Sequence, residues 1–289
     1  MDLSAFAAEV GADGPVTITG LSSRGGPVAG VPCVAAPSGI DWVQPDEMTV
    51  CCGAGTPVAE LMAALAEHGQ RVNLPPAGTV GGALAVGRSD VRQLGDGPIR
   101  DAVLQVRYIS AAGEIVQAGG PTVKNVSGFD LCRLLVGSRG TLGFFGEVIL
   151  RTRPLAAASQ WFSAPAADPY PIFSRLYRPV SVLWDGATVW ALLEGHAADV
   201  AEQAAAAALA PTEGPPPLPS TRRAVVSPAA IMSASGEYVA EVGVGVVHLG
   251  ATGSVGGAPP PDAGVRAVSA RLKAQFDPTG RLNPGVHVG

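Results

Sequence analysis

The sequence predicts an α+β protein with two domains. The chain has 289 residues, which corresponds to about two domains of ordinary size. Short apolar segments of strand character alternate with short amphipathic helices, and 38 glycines and 26 prolines supply the turns between them. At Pro154 a long apolar strand ends and an alanine-rich stretch begins. We therefore expect a first domain over residues 1–154 and a smaller second domain over residues 155–289.

The first domain is predicted to contain mainly strands. Short apolar runs bounded by turn residues predict strands at residues 16–19, 48–52, 103–110, 114–118 and 144–153. A helix is predicted to start at Thr56, a good N-cap, with Pro57 at its first position and Gly69 at its end. Its apolar positions i, i+3, i+4 and i+7 are Val58, Leu61, Met62 and Leu65. A further helix is predicted over residues 129–136.

The second domain is predicted to be a small sheet with helices on one face. Strands are predicted at residues 161–164, 180–184, 187–194 and 238–248, and helices at residues 171–177, 199–209 and 264–276. The first of these elements follow one another as strand–helix–strand, strand–helix, which is the order of a ferredoxin-like unit. The proline-dense stretch 211–220 predicts an extended connection, and residues 276–285 form a turn-rich tail.

Composition and charge exclude several classes of protein. Charged residues make up 15% and hydrophobic residues 47% of the chain, which excludes a disordered protein. A formal net charge of -5 with scattered arginines argues against nucleic-acid binding, which needs a basic face. No stretch approaches the ~20 uninterrupted apolar residues of a membrane span, and no secretory signal is readable. We therefore expect a cytoplasmic protein without a membrane span.

The cysteines predict no metal centre. Cys33, Cys51, Cys52 and Cys132 form no CxxC pair, so we expect neither a zinc site nor an iron–sulfur cluster made by this chain alone. We interpret them as small buried side chains in a reducing compartment.

Common nucleotide-binding motifs do not account for the chain. Gly53-Ala54-Gly55 lies between a strand and a helix, but a dinucleotide fold needs a third glycine where Val58 stands. The acidic ribose ligand about 20 residues further on is also missing, so we interpret the segment as a tight turn. Walker, zincin and nucleophile-elbow motifs do not occur.

A glycine-rich loop, GLSSRGG at residues 20–26, follows the first strand. Gly20, Gly25 and Gly26 permit positive φ, so that successive N–H groups can surround a phosphate without lysine. An ordinary glycine-rich turn has the same composition, and this loop alone does not separate the two. Other loops also combine glycine with a small hydroxyl or an arginine; they span residues 78–82, 97–101 and 137–143. Several such loops from separate segments suit a large, extended cofactor.

The order of these motifs resembles a known family. The chain reads GLSSRGG, VCCGAGTPVAELMAAL, TVGG, GPIRDAVLQV, VKNVSGFDLCRLLVGSRGTLGFFGEVILRTRP and finally FDPTGRLNPG. This series resembles the PCMH-type FAD-binding oxidoreductases of the vanillyl-alcohol oxidase superfamily, and within them the FAD-binding subunits of bacterial glycolate oxidases. The resemblance is dense over residues 14–154, returns at about 270–285 and is thin between them. It implies a two-subdomain FAD-binding domain, then a reduced ferredoxin-like α+β cap with a C-terminal FAD-linked oxidase tail.

The resemblance also implies which residues contact FAD. Those around the pyrophosphate are Gly20, Ser22, Ser23, Arg24, Gly25 and Gly26. Those beside the flavin and pyrophosphate are Gly78, Thr79, Gly81 and Gly82. Those along the adenosine half are Ile99, Arg100 and Val103, and those that close the pocket are Gly137, Gly140 and Thr141. Asn283 would lie near the isoalloxazine edge, although Asn-Pro-Gly is also an ordinary turn. Residues 20–30 contain no histidine for a covalent link, so noncovalent FAD is expected.

Among the four histidines, His248 is the candidate catalytic base. It ends the apolar run VGVGVVHL, from which it would project toward a flavin and accept the proton of a substrate hydroxyl. A structural role at a strand end is the alternative and stays open. His68, His196 and His287 fit a helix end, a polar turn and the tail.

The resemblance implies an FAD-dependent oxidoreductase that acts within a complex. We expect a subunit that takes part in oxidising a 2-hydroxy acid such as glycolate or lactate and passes electrons to a partner. The expected assembly is a hetero-oligomer with a homologous flavoprotein subunit and an iron–sulfur subunit. Two alternatives stay open: a stand-alone FAD-dependent 2-hydroxy-acid dehydrogenase, and a non-catalytic FAD-holding assembly subunit.

Overall fold

The computed structural model describes residues 1–120, 130–257 and 263–287 and divides the chain into two compact units. Unit 1 comprises Met1–Ser89, Pro98–Leu155 and Pro261–Gly289, and unit 2 comprises Asp90–Gly97 and Ala156–Pro260. The units are therefore not two successive parts of the chain. The segment 90–97 belongs to unit 2, and the C-terminal segment, which the sequence analysis assigns to the second domain, belongs to unit 1.

Strands dominate both units, and the α+β class is confirmed. The strands of unit 1 are β1 (Thr17–Thr19), β2 (Cys33–Ala35), β3 (Ile40–Gln44), β4 (Thr49–Gly53), β5 (Gln70–Val72), β6 (Val103–Ile109), β7 (Ile115–Gly119) and β8 (Phe144–Pro154). The strands of unit 2 are β9 (Ala158–Pro165), β10 (Ser181–Trp184), β11 (Thr188–Gly195), β12 (Ala210–Thr212), β13 (Arg222–Val225), β14 (Tyr238–Glu241) and β15 (Val246–Leu249).

The helices are short except for the last. In chain order they are α1 (Ser4–Val10), α2 (Val58–Ala66), α3 (Val80–Val86), α4 (Gln93–Asp96), α5 (Leu131–Leu135), α6 (Tyr170–Phe173), α7 (Ala197–Ala206) and α8 (Ala263–Phe276). Of the predicted helix over residues 129–136, the described part forms α5. Residues 123–129 of the motif VKNVSGFDLCRLLVGSRGTLG lie outside the described residues. No described helix is both long enough and apolar enough to cross a membrane.

The main sheet of unit 1 is organised around β8. Its order is β3-β4-β8-β6-β7, and β5 pairs with the end of β8. β8 has 11 residues and is antiparallel to both β4 and β6. The predicted hairpin is confirmed, because β6 and β7 pair with each other. This sheet shares a hydrophobic core with α2, α3 and α5, whereas β1 and β2 form a separate parallel pair beside a smaller core.

The predicted cap of α2 is wrong, because tertiary contacts use the residue differently. The helix begins at Val58, one residue later than predicted, and no side chain caps it. The Thr56 hydroxyl instead accepts a hydrogen bond from the Gly39 N–H at 2.9 Å and donates one to the Gly39 carbonyl at 3.1 Å. A Cβ at Gly53 or Gly55 would overlap the backbone of residues 36–37. The glycines of this turn therefore permit close packing of two backbone segments.

Unit 2 contains the predicted ferredoxin-like unit and an extension of it. The elements follow one another in the chain as β9-α6-β10-β11-α7-β12. Their four strands form one sheet in the order β12-β9-β11-β10, antiparallel throughout. On the open edge of β10 the sheet continues through β14, β15 and β13. The single strand predicted over residues 238–248 is wrong. The segment turns back at residues 242–245, so β14 and β15 pair as a hairpin.

Arg281 attaches the C-terminal segment to unit 1. Its guanidinium is buried and donates hydrogen bonds to backbone carbonyls, namely those of Gly14 at 2.7 Å, Gly11 at 3.1 Å, Ala111 at 3.1 Å, Val10 at 2.6 Å and Asp13 at 3.2 Å. The neighbouring Leu282 is fully buried in the smaller core. Segments that are distant in sequence are therefore joined through one side chain.

We expect Arg281→Met to destabilise unit 1 strongly, because the substitution leaves several carbonyl acceptors without a donor. The expected loss in the free energy of unfolding is on the order of 3 kcal/mol. Urea denaturation of the variant and of Arg175→Met, which changes an exposed arginine, provides the measurement. Equal stability of the two variants would contradict this role of Arg281.

Candidate functional site

A cavity of about 670 Å³ lies within unit 1. It is bordered by β1, the loop 20–28, the turn at residues 54–55, the inner side of α3, residues 139–145 and the tail at 283–286. Most of the residues implied by the family resemblance line it, namely Gly20, Ser22, Ser23, Arg24, Gly25, Gly26, Thr79, Gly81, Gly82, Gly140 and Asn283. These implied residues come from four segments that are far apart in sequence.

The loop 20–26 packs closely on Gly78. A Cβ on Gly78 would overlap Ser23 Oγ and would lie 2.6 Å from Arg24 Nη1. Gly78 also has φ of 81°, a conformation that favours glycine. Gly78 does not line the cavity itself, but the absence of a side chain there sets the position of Ser23 and Arg24.

Arg24 is the most informative side chain of the cavity. Its Nη1 is buried and has no hydrogen-bond partner among the described residues, while Nη2 donates to the Pro75 carbonyl at 3.4 Å. Burial lowers the pKa of Arg24 from its ordinary value. A buried cationic donor without an acceptor is costly, and an anionic ligand in the cavity would supply that acceptor.

The charge of the cavity is positive. Arg88 and Arg139 line it together with Arg24, and the lining residues that the structure describes include no acidic side chain. Neither arginine is among the residues that the family resemblance implies. Arg139 lies inside the glycine-rich loop GSRGTLG, so its position in the sequence could have indicated it. Arg88 only follows the glycine that ends α3, which is not a recognisable motif.

The segment before and within the first turn of α3 forms part of the cavity wall through Thr79, Gly81 and Gly82. The N–H groups of the two glycines are not free to donate to a ligand. Thr79 caps α3, since its Oγ1 accepts a hydrogen bond from the Gly82 N–H at 3.1 Å. The Gly81 N–H donates to the Ala54 carbonyl at 2.7 Å. Both N–H groups are therefore used within the protein, and these residues shape the space beside a ligand.

Asn283 joins three segments at the edge of the cavity. Its Oδ1 accepts hydrogen bonds from Thr17 Oγ1 at 2.8 Å and from the Ile18 N–H at 3.2 Å. Its Nδ2 donates to the Arg139 carbonyl at 2.7 Å. The amide thus connects the tail to β1 and to the loop 137–143, and it adopts a left-handed φ of 45°.

Backbone strain is concentrated at this cavity. The described non-glycine residues with positive φ are Ser22, Met48, Arg139, Arg178, Ala208 and Asn283, and three of them, Ser22, Arg139 and Asn283, line the cavity. Conformations of this kind cost free energy and cluster at functional sites.

The other residues implied by the family resemblance do not line the cavity. Ile99 and Val103 belong to the larger core, and Arg100 is exposed. The Gly137 N–H donates to the Leu84 carbonyl, and Thr141 is buried with its hydroxyl donating to the Ser138 carbonyl. Conversely, the cavity is also lined by apolar residues that the family resemblance does not imply, namely Ile18, Val86, Phe144 and Phe145. They carry no sequence signal that separates them from ordinary core residues.

His248 lies in unit 2, where it pairs with Glu241. The two residues stand on neighbouring strands, β15 and β14, and His248 Nε2 is 2.8 Å from Glu241 Oε1. Both face away from the hydrophobic core of unit 2, because the alternate residues Ala240, Val247 and Leu249 contribute to that core. Glu241 is only 2% exposed, and its Oε2 has no partner among the described residues.

One group of side chains has the spacing of metal ligands. Ligand atoms of Asp41, Cys51 and Glu147 lie within 4.8 Å of one another. Glu147 pairs with Arg107 Nη1 at 3.2 Å, and burial raises the pKa of Cys51 to about 12, so its thiol stays protonated. Glu147 is therefore engaged in an ion pair beside a neutral thiol. Of the four cysteines, Cys33 is exposed, whereas the other three are buried as expected.

Comparison with known proteins relates part of unit 1 to proteins that bind FAD. Residues 34–119 match the family described as FAD binding domain. Over 154 residues the chain is 37% identical to the glycolate oxidase subunit GlcE of Escherichia coli (strain K12). This match covers 50% of this chain and 44% of that protein. Over 117 residues it is 38% identical to a D-lactate dehydrogenase of Archaeoglobus fulgidus, and this match covers 39% of this chain and 26% of the relative.

The chain thus spans less than half the length of these curated relatives. A solved structure of an alkyldihydroxyacetonephosphate synthase matches the fold with a TM-score of 0.67, over 94% of this chain and 73% of that one. Sequence identity is 15%, so that likeness concerns the fold alone. Unit 1 of this chain therefore contains a segment, residues 34–119, that matches an FAD binding domain.

Proposed function

We propose that unit 1 binds FAD noncovalently and that the chain is the FAD-binding subunit of a 2-hydroxy-acid oxidase or dehydrogenase of the glycolate or lactate type. The observation that carries the proposal is the cationic cavity, in which the buried Nη1 of Arg24 has no hydrogen-bond partner among the described residues. The relatives named as a glycolate oxidase subunit and a D-lactate dehydrogenase support the substrate class.

The residues of the cavity fit a dinucleotide. A volume of about 670 Å³ lies in the usual range for ligand pockets. The Arg24 guanidinium offers donors to a pyrophosphate, and Arg88 and Arg139 add positive charge that lysine does not supply here. Phe144 and Phe145 give the cavity an apolar wall.

When bound, FAD supplies the two-electron redox chemistry, and the protein supplies binding, orientation and proton handling. We propose that His248 accepts the proton of the substrate hydroxyl. With its Nε2–H donating to Glu241, the neutral imidazole keeps Nδ1 as an acceptor. Glu241 is then the positioning residue that holds the ring in this tautomer.

We further propose that electrons leave to partner subunits in the cytoplasm, a homologous flavoprotein and an iron–sulfur protein. The relatives named as glycolate oxidase subunits, GlcE and GlcD, support an assembly of several subunits. The described cysteines of this chain are all free and none is in a CxxC pair, so a metal cluster for electron transfer would belong to another chain.

The purified protein is expected to be yellow, and acid precipitation is expected to release the flavin into the supernatant. Absorption spectra before and after precipitation measure both. A colourless protein whose melting temperature FAD does not change would refute the FAD proposal. Flavin that stays in the pellet would refute noncovalent binding. Reduction of the flavin by glycolate or D-lactate with this chain alone would favour the stand-alone dehydrogenase.

Arg24→Gln is expected to weaken FAD binding about 10- to 100-fold, because hydrogen bonds between charged groups contribute about 1.5–3 kcal/mol. Fluorescence titration of apoprotein with FAD gives the dissociation constants. Arg151→Gln, which removes an exposed arginine of unit 1 that does not line the cavity, is the matched control. If both variants bind FAD alike, Arg24 does not hold the pyrophosphate.

Gly78→Ala is expected to weaken FAD binding at least tenfold, because the new methyl group displaces Ser23 and Arg24. Gly69→Ala controls for backbone strain: Gly69 has φ of 65°, but its Cβ would meet nothing within 4 Å. Both variants should lose about 1 kcal/mol of stability to strain. Comparable FAD dissociation constants for the two would show that the packing on Gly78 is unimportant for binding.

Glu241→Gln is expected to slow flavin reduction by a 2-hydroxy acid at least tenfold and to change its pH profile, while FAD affinity stays unchanged. Anaerobic stopped-flow reduction of the chain, or of its complex, measures the rate. Glu202→Gln, on the exposed side of α7, is the control. An unchanged rate and pH profile in Glu241→Gln would leave Glu241 a structural residue only.

A further inference from the structure

The ammonium group of Lys273 joins the C-terminal tail to the loop 137–143 of unit 1. Its Nζ donates hydrogen bonds to the Thr141 carbonyl at 2.8 Å and to the Leu282 carbonyl at 3.1 Å, and it pairs with the Asp277 carboxylate. An ammonium group has three N–H donors, so each of them has an acceptor here. Lys273 therefore connects two segments that are far apart in the sequence.

Both of these segments line the cavity of unit 1. Arg139 and Gly140 contribute to the cavity wall from the loop, and Asn283 and Val286 contribute from the tail. The two carbonyls that accept hydrogen bonds from Lys273 belong to the residues next to Gly140 and Asn283. The hydrogen bonds of Lys273 therefore fix the distance between two parts of the wall.

The tail packs closely on the loop at Gly140. A Cβ on Gly140 would lie 2.6 Å from Asn283 Nδ2, which donates to the Arg139 carbonyl at 2.7 Å. On the other side, the Asn283 N–H donates to the Val16 carbonyl at 2.9 Å. Separation of the tail from unit 1 would break these hydrogen bonds together and remove Asn283 from the wall, so the cavity would open on this side.

The tail itself is held in shape by the buried carboxylate of Asp277. This group accepts hydrogen bonds from the Arg281 N–H at 3.0 Å and from the Leu282 N–H at 2.8 Å. Burial opposes its ionisation, but the hydrogen bonds from Lys273, Leu282 and Arg281 outweigh burial and keep the pKa of Asp277 below its ordinary value. Residues 277–286 therefore form one hydrogen-bonded unit.

We propose that residues 277–286 form a C-terminal latch that closes the FAD cavity of unit 1, with Lys273 as the positioning residue that holds the latch in its docked position. FAD binds only while the latch is docked. By linkage, FAD binding and docking then stabilise each other by the same factor. The inference rests on the proposed FAD binding and adds how the cavity is closed and which side chain controls closure.

A purely structural tail makes a different prediction about opening. A tail that only stabilises unit 1 would separate when unit 1 unfolds as a whole, and its amides would exchange at the rate set by global unfolding. A latch opens by itself, at a lower free-energy cost than global unfolding. Hydrogen exchange of the apoprotein therefore separates the two roles.

The test is hydrogen exchange of the full chain, measured by mass spectrometry without FAD and with FAD at about 100 times its dissociation constant. In the apoprotein we expect the amides of the latch to exchange at least about tenfold faster than those of the central strand β8, after correction for intrinsic rates. FAD at this concentration favours the docked form by about 100-fold, so exchange of the latch is expected to slow at least tenfold.

Lys273→Met is expected to speed exchange of the latch in the apoprotein about 10- to 100-fold, because hydrogen bonds from a charged donor are lost. Arg271→Met removes an exposed arginine from the same helix and is the matched control, with exchange at the wild-type rate. Lys273→Arg keeps a cationic donor and is expected to stay within about threefold of the wild type. If Lys273→Met does not fold, the wild-type comparison with and without FAD still decides.

Three results would overturn the proposal. Latch amides that exchange as slowly as those of β8 in the apoprotein would show that the tail separates only when unit 1 unfolds. Latch exchange that bound FAD does not slow would show that FAD binds without the docked latch. Equal exchange in Lys273→Met and Arg271→Met would show that Lys273 does not hold the latch.

The visible spectrum of the same samples reports bound flavin separately. Bound flavin with unchanged latch exchange refutes the latch and leaves the proposed flavin function standing. A protein that binds no flavin refutes the proposed function and the latch together, so the two failures are distinguishable.

Discussion

The site in unit 1 depends on the return of the C-terminal segment to the start of the chain. Arg281 donates to carbonyls of residues 10–14 and to that of Ala111, and Asn283 then bonds to β1 and to the loop 137–143. These hydrogen bonds join one wall of the cavity to the other. A buried guanidinium surrounded by carbonyl acceptors is stable only when all of them are in place, so the geometry of the cavity is coupled to correct folding of the tail.

Close backbone packing is the second constraint on the cavity. Gly53 and Gly55 let the turn before α2 lie against residues 36–37, and Gly78 lets the loop 20–26 lie against the segment before α3. The glycines therefore act less as free phosphate donors than as places where two segments approach each other. The positive charge comes from arginines on these closely packed loops, of which Arg24 alone combines burial with a donor that no described residue satisfies.

The two units contribute different chemistry to the proposed subunit. Unit 1 supplies a cationic, partly apolar cavity for a dinucleotide, whereas unit 2 supplies a sheet whose face opposite its core carries the pair His248 and Glu241. A cofactor site and an acid–base pair are what the proposed subunit needs in order to oxidise a hydroxy acid.

Local patterns in the sequence determined many of the strands, the ferredoxin-like order of unit 2 and the glycine-rich loops, because these depend on neighbouring residues. They did not predict β2, β3, β5, β12 and β13 or the turn between β14 and β15. The motif order also sufficed to indicate an FAD-binding domain. Only the tertiary structure decided that Thr56 bonds to Gly39 instead of capping α2, that Ile99 and Val103 lie in the core, and that the tail belongs to unit 1. That Arg88, Phe144 and Phe145 line the cavity was decided there too. Facing a cavity depends on segments that are distant in sequence, and such contacts leave no local pattern.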